Sequence, residues 1–68
     1  IVYPNPAKQE INISSTQKIE KISVYNSLGQ FLFESKTNQI NIEKLEKGLY
    51  FLKIKTSSSE TVEKFIKE

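Results

Sequence analysis

From Gly48 to Thr56 the chain reads Gly-Leu-Tyr-Phe-Leu-Lys-Ile-Lys-Thr: a glycine, then aromatic and aliphatic side chains with no polar break before Lys53. A run of this kind, bounded by turn residues on both sides, is a β-strand buried on at least part of both faces. Alternation puts Tyr50, Leu52 and Ile54 on one face and Leu49 and Phe51 on the other, before Lys53 and Lys55 return that second face to water. A strand with two apolar faces calls for cover on both sides. The run therefore predicts a central position in a sandwich.

The rest of the chain supplies short strands and turns. Ile1-Val2-Tyr3 is apolar and is stopped by Pro4-Asn5-Pro6, whose prolines lack two donors and confine the segment to a domain edge. Gln9–Ser14 alternates, with Ile11 and Ile13 inward, and Ser15-Thr16-Gln17 turns the chain. Ile19–Tyr25 alternates again, with Ile22 and Val24 on one face and Lys21, Ser23 and Tyr25 on the other. Asn26-Ser27-Leu28-Gly29 suits a type I turn closed by a left-handed glycine. Gln30–Ser35 is then the returning strand, with Phe31 and Phe33 on one face and Leu32 on the other. Gln39–Ile42 turns Ile40 and Ile42 inward, and Leu45 plugs the core from the connection that follows. Gly48 supplies a positive φ or a close backbone approach. The last segment, Glu60–Glu68, fits either period; its shortness and its lack of a cap favour a strand. About seven short strands without a helix predict an all-β fold, a small immunoglobulin-like antiparallel β-sandwich.

Composition excludes more chemistry than it suggests. The 68 residues contain no Cys, His, Asp, Arg, Trp or Met. Thiol and Ser-His-Asp nucleophiles are excluded, and so are histidine or thiolate metal sites. Glutamate pairs such as Glu43 with Glu46 read as exposed charge, and Gly29 and Gly48 are isolated, so no phosphate-cradling loop exists. No cofactor is expected, no metal, and no catalysis within these residues. Net charge is only +2 and the lysines alternate with glutamates, so there is no basic tract for nucleic acid. The aromatic residues that could stack bases are the ones a core needs, and arginine is absent. No apolar run approaches the roughly 18 residues of a membrane span. Residues 1–68 read as a single domain excised from a larger protein, and a chain this short buries only about 60% of its unfolded surface.

Three elements stand in a particular order: Tyr3-Pro4-Asn5-Pro6 at the start, Gly29-Gln30 after the strand Ile22-Ser23-Val24-Tyr25, and Leu45-x-x-Gly48-Leu49-Tyr50 before a closing Glu63-Lys64-Phe65-Ile66-Lys67. Together they resemble the C-terminal sorting domain (type A) of the type IX, or Por, secretion system of Bacteroidetes. The resemblance implies a seven-stranded sandwich that addresses an upstream cargo domain to an outer-membrane translocon. A sortase-like peptidase then removes it, and the cargo reaches the cell surface or the medium by way of the periplasm. It also implies the recognition candidates: Gly48 and the final segment Lys64, Phe65, Ile66 and Lys67. An exposed final strand could join a receptor edge by strand addition while its lysines set the register. The plain structural alternative makes Gly48 a turn glycine and Val62 and Ile66 core residues. The functional alternative is a non-catalytic adhesion or carbohydrate-binding module whose exposed Tyr3, Tyr25 or Tyr50 would stack on a sugar ring.

Overall fold

A computed structural model describes the whole chain, Ile1–Glu68. It contains seven strands and no helix: β1 (Val2–Tyr3), β2 (Glu10–Ile13), β3 (Ile19–Asn26), β4 (Phe31–Ser35), β5 (Gln39–Asn41), β6 (Gly48–Thr56) and β7 (Glu60–Lys67). They form a three-stranded sheet in the order β1-β2-β5 and a four-stranded sheet in the order β4-β3-β6-β7. All five pairings between these strands are antiparallel. The sheets close on one apolar core: Ile11, Ile13 and Ile40 from the smaller sheet with Ile42 just beyond β5, and Ile22, Val24, Leu52, Ile54 and Phe65 from the larger.

β6 is an interior strand of its sheet, between β3 and β7, and Tyr50, Leu52 and Ile54 are buried as their alternation requires. The expected cover on its second face is missing. Leu49 is exposed and Phe51 is half-buried, because the smaller sheet packs on only one side. Aromatic and aliphatic neighbours on the adjacent strands shelter that outer face in part, so apolar residues on both faces did not require two covering layers.

Turns follow local chemistry. The carboxamide oxygen of Asn26 accepts from the Leu28 and Gln30 amides at 3.0 and 2.9 Å, and Gly29 closes the turn at φ +83°. Thr56, Ser58 and Ser59 gather around the Gln17 side chain, whose oxygen accepts from the Thr56 and Ser58 hydroxyls at 2.8 Å. Leu45 packs against the core from its connection, as expected.

Two bulges alter the simple alternation. Ile19 pairs with Thr56 and Lys21 with Lys55. Glu20 is therefore extra, and Ile19 reaches the core despite its odd spacing from Ile22. In the hairpin, Val24 pairs with Phe33 but Tyr25 pairs with Phe31. Leu32 is the inserted residue, so Phe31 and Phe33 do not share a face. Phe33 packs against the core, whereas Phe31 stands beside Tyr25 with ring centroids 5.8 Å apart in an edge-to-face contact.

The final segment is a strand, but with a different inside from the plain alternative. Phe65 is the buried residue, while Val62 and Ile66 are exposed. Register explains this: Phe65 pairs with inward-facing Tyr50, and Ile66 pairs with outward-facing Leu49.

Candidate recognition surface

β6 and β7 pair along nearly their whole length and bring all five sequence candidates to one end of the sheet. Gly48 lies opposite Lys67, Leu49 opposite Ile66, Tyr50 opposite Phe65 and Phe51 opposite Lys64. Gly48 has φ +146°, and a Cβ built on it meets nothing within 4 Å. Its glycine is therefore a matter of backbone conformation; no close approach is involved.

The five candidates divide by environment. Lys64 and Ile66 project outward and are accessible. Phe65 is fully buried, stacked on Tyr50 at 5.4 Å between ring centroids, and offers no surface to a partner. Its contribution to recognition can only run through the shape of β7. Lys67 was expected on the surface, yet only 8% of it is exposed. Its stem lies along the sandwich end, and its ammonium donates to the Glu68 carbonyl at 3.0 Å. Tyr50, a contact residue of the adhesion alternative, is buried too, with its hydroxyl donating to the Glu46 carbonyl at 2.6 Å.

The edge of β7 is not free along its C-terminal half. The Ala7 amide donates to the Ile66 carbonyl and the Glu68 amide to the Ala7 carbonyl, both at 2.8 Å. Beside them, the Asn5 carboxamide accepts from the Ile66 amide at 3.0 Å and donates to the Lys64 carbonyl at 3.4 Å. Pro4 and Pro6 have no amide hydrogen to offer, so the Asn5 side chain stands in for the missing backbone partners. Ala7, fully buried, seats the clasp. Strand addition at Lys64–Glu68, expected from an exposed final strand, is thus blocked in this fold by the chain's own beginning.

The residues that sequence reasoning missed are Asn5 and Ala7, which act at Ile66 and Glu68. Two prolines flanking an asparagine hinted at a side-chain pairing, but nothing local named the partner. Also missed was the outer face of the four-stranded sheet, where Phe31, Leu49, Val62 and Ile66 are exposed together with the ends of several lysines. Ion pairs cross that face diagonally, Lys21 with Glu34 at 3.7 Å and Lys53 with Glu60 at 3.9 Å. Pairs this exposed contribute about 0–1 kcal/mol. The opposite outer face, on the three-stranded sheet, carries Glu10, Asn12, Gln39 and Asn41, with the Gln39 amide donating to Glu10 at 2.6 Å.

The family model described as "Secretion system C-terminal sorting domain" matches residues 1–68. The chain belongs to this sorting-domain family. Similar sequences occur in beta-agarase D of Zobellia galactanivorans, at 36% identity over 67 residues, covering 96% of this chain and 14% of that protein. An ulvan lyase of Nonlabens ulvanivorans is 32% identical over 59 residues, covering 78% of the chain and 11% of the lyase. Beta-agarase A of Zobellia galactanivorans is 30% identical over 67 residues, with 90% and 12% covered. The chain spans about an eighth of the length of these relatives. As a type IX secretion sorting domain it is a tail on upstream cargo, it marks a secreted protein, and it is not itself a catalytic unit. No helix in it is long and apolar enough to cross a membrane.

Proposed function

We propose that this sorting domain directs an upstream cargo to the type IX outer-membrane translocon and is removed by a sortase-like peptidase once the cargo has crossed. The observation that carries the reading is the family match along the whole chain. The relatives add support. A protein named an agarase and one named an ulvan lyase each contain a segment similar to this chain, as suits a label indifferent to the cargo's chemistry. The fold is compatible with such a role, because the domain has its own core and needs no surface from the cargo to complete it. The larger protein has this domain at its C-terminal end, passes through the periplasm, and leaves its cargo at the cell surface or in the medium. Lys64 and Ile66 contact the receiving machinery. Gly48, Phe65 and Lys67 hold β7 in the shape that is read.

An export assay tests this. A fluorescent reporter with an N-terminal signal peptide and this domain is expressed in a Bacteroidetes host with and without a working translocon. Fluorescence at the surface or in the medium that requires both translocon and domain is the expected result, with the domain absent from exported reporter. Reporter retained in the periplasm of both strains, with the domain folded and uncut, would overturn the proposal.

A further inference from the structure

Outward-facing residues of the four-stranded sheet form an ordered field. At the end bearing Gly48, the exposed or half-buried side chains of Tyr25, Phe31, Leu49, Phe51 and Ile66 are register neighbours across β4, β3, β6 and β7, and Val62 stands further along β7, opposite Lys53 and beyond Lys64. Phe31, Val62 and Ile66 are 56%, 65% and 48% exposed. Toward the other end and along the β7 flank the same face carries Lys21, Lys53, Lys55 and Lys64. Of its carboxylates, Glu34 and Glu60 are already paired with Lys21 and Lys53, and Glu20 stands in the bulge beside Lys21. Four lysines against three glutamates leave the face with an excess of positive charge. Lys55 and Lys64 have no carboxylate within 4.0 Å. The outer face of the other sheet shows neither the apolar cluster nor the excess charge.

We infer that this face is the docking surface of the sorting domain, and that its occupant is a protein surface with an apolar centre and carboxylates along one flank. The inference rests on the sorting function proposed above and assigns the partner's chemistry. On β3 and β6 the apolar side chains lie toward the Gly48 end and the lysines toward the other, while on β7 Lys64 stands between Ile66 and Val62. This uneven pattern favours one orientation of a complementary partner. Contact occurs through side chains on the sheet face, because the Asn5–Ala7 clasp already occupies the C-terminal edge of β7. A sugar ligand fits less well: the Phe31 ring is held edge-to-face against Tyr25, which leaves no pair of parallel aromatic platforms. A lipid surface fits less well too, since the apolar groups lie flat within a sheet and do not project from loops. The face is about 14 Å wide between its outer strands, at the small end for a protein interface. That suits a contact made and then released.

The export assay with variants of this face decides the matter. Leu49→Thr/Val62→Thr/Ile66→Thr removes apolar surface while keeping strand-compatible side chains, and Lys55→Glu/Lys64→Glu reverses the unpaired charge. Both are first checked for wild-type thermal melting; if the threonine variant melts early, the charge variant alone decides. Tyr3→Thr, on the other sheet's outer face, is the control. The expected result is a drop of at least tenfold in translocon-dependent export for the face variants and wild-type export for Tyr3→Thr. Folded face variants exported at the wild-type level, while the wild type still depends on the translocon, would overturn the docking surface and leave the sorting function standing. A wild-type domain that gives no translocon-dependent export would overturn both. Asn5→Ala separates the two modes of contact: strand addition predicts that opening the edge raises export, whereas face docking predicts no rise.

Discussion

Gly48 illustrates how a single residue can constrain a strand without filling space. Its φ of +146° is one that side-chain-bearing residues rarely adopt, and the position where a Cβ would sit is empty. Gly48→Ala should therefore destabilise through the backbone alone, by about 1–3 kcal/mol, seen as a lower urea midpoint with an unchanged slope. A midpoint equal to the wild type would mean that the chain relaxes there freely. Phe65 and Lys67, two residues apart on the same strand, act through burial. Phe65→Ala empties a fully buried ring site and should cost about 3–5 kcal/mol, enough to unfold much of a marginal domain. Lys67→Ala loses the packing of a buried stem, for which about 1 kcal/mol is expected. Lys67→Met should recover most of that loss in a thermal melt, because the stem matters there and the charge does not. A methionine variant as unstable as the alanine one would shift the weight to the ammonium and its hydrogen bond to Glu68.

At the scale of elements, the clasp is the feature that a strand-by-strand reading could not supply. Ile66 directs its amide away from β6 to the Asn5 side chain, while the Phe65 amide, alternating with it, faces β6. Asn5→Ala should therefore accelerate hydrogen exchange at the Ile66 amide while leaving Phe65 protected. Equal protection of both amides in the variant would show that Ala7 alone holds the edge. Asn5 lies 61 residues from Ile66 in sequence, and no local periodicity carries such a pairing. What alternation does carry is the inward set: Ile11 and Ile13, Ile22 and Val24, Ile40 and Ile42, and Leu52 and Ile54 are all buried where period two puts them. The same rule misplaced Phe31, because a one-residue bulge at Leu32 turns it from the core side to the Tyr25 side. It also made β6 seem enclosed. Leu49 and Phe51 belong to an apolar face that the fold leaves open, and hydropathy does not distinguish a surface kept for a partner from a core. Of the recognition candidates, the pairing of Gly48 with Lys67 was not readable either, since it depends on the register between β6 and β7.

Across the whole molecule, the chain's two ends are one structural unit. Ile1 donates to the Ser14 carbonyl at 3.1 Å, Val2 pairs with Ile13, and Ala7 bridges to Lys67. Val2 and Ala7 both belong to the core cluster. The segment that joins any upstream cargo is therefore built into the sandwich and does not lead loosely up to it. A peptidase that separates cargo from an intact signal must cut before Val2, because a cut after Ala7 would remove β1, the clasp and two core residues together. Deleting residues 1–7 should accordingly abolish cooperative unfolding: about 25 cal/mol is lost per Å² of apolar surface returned to water, and the domain has little stability in reserve. The full chain should instead melt in a single transition and resist limited proteolysis between Val2 and Ala7. If the signal is released as proposed, mass spectrometry of the fragment should find its first residue at Val2 or upstream of it. A folded released fragment beginning at Lys8 would show that the ends are separable, and that β7 can be read without the segment that clasps it.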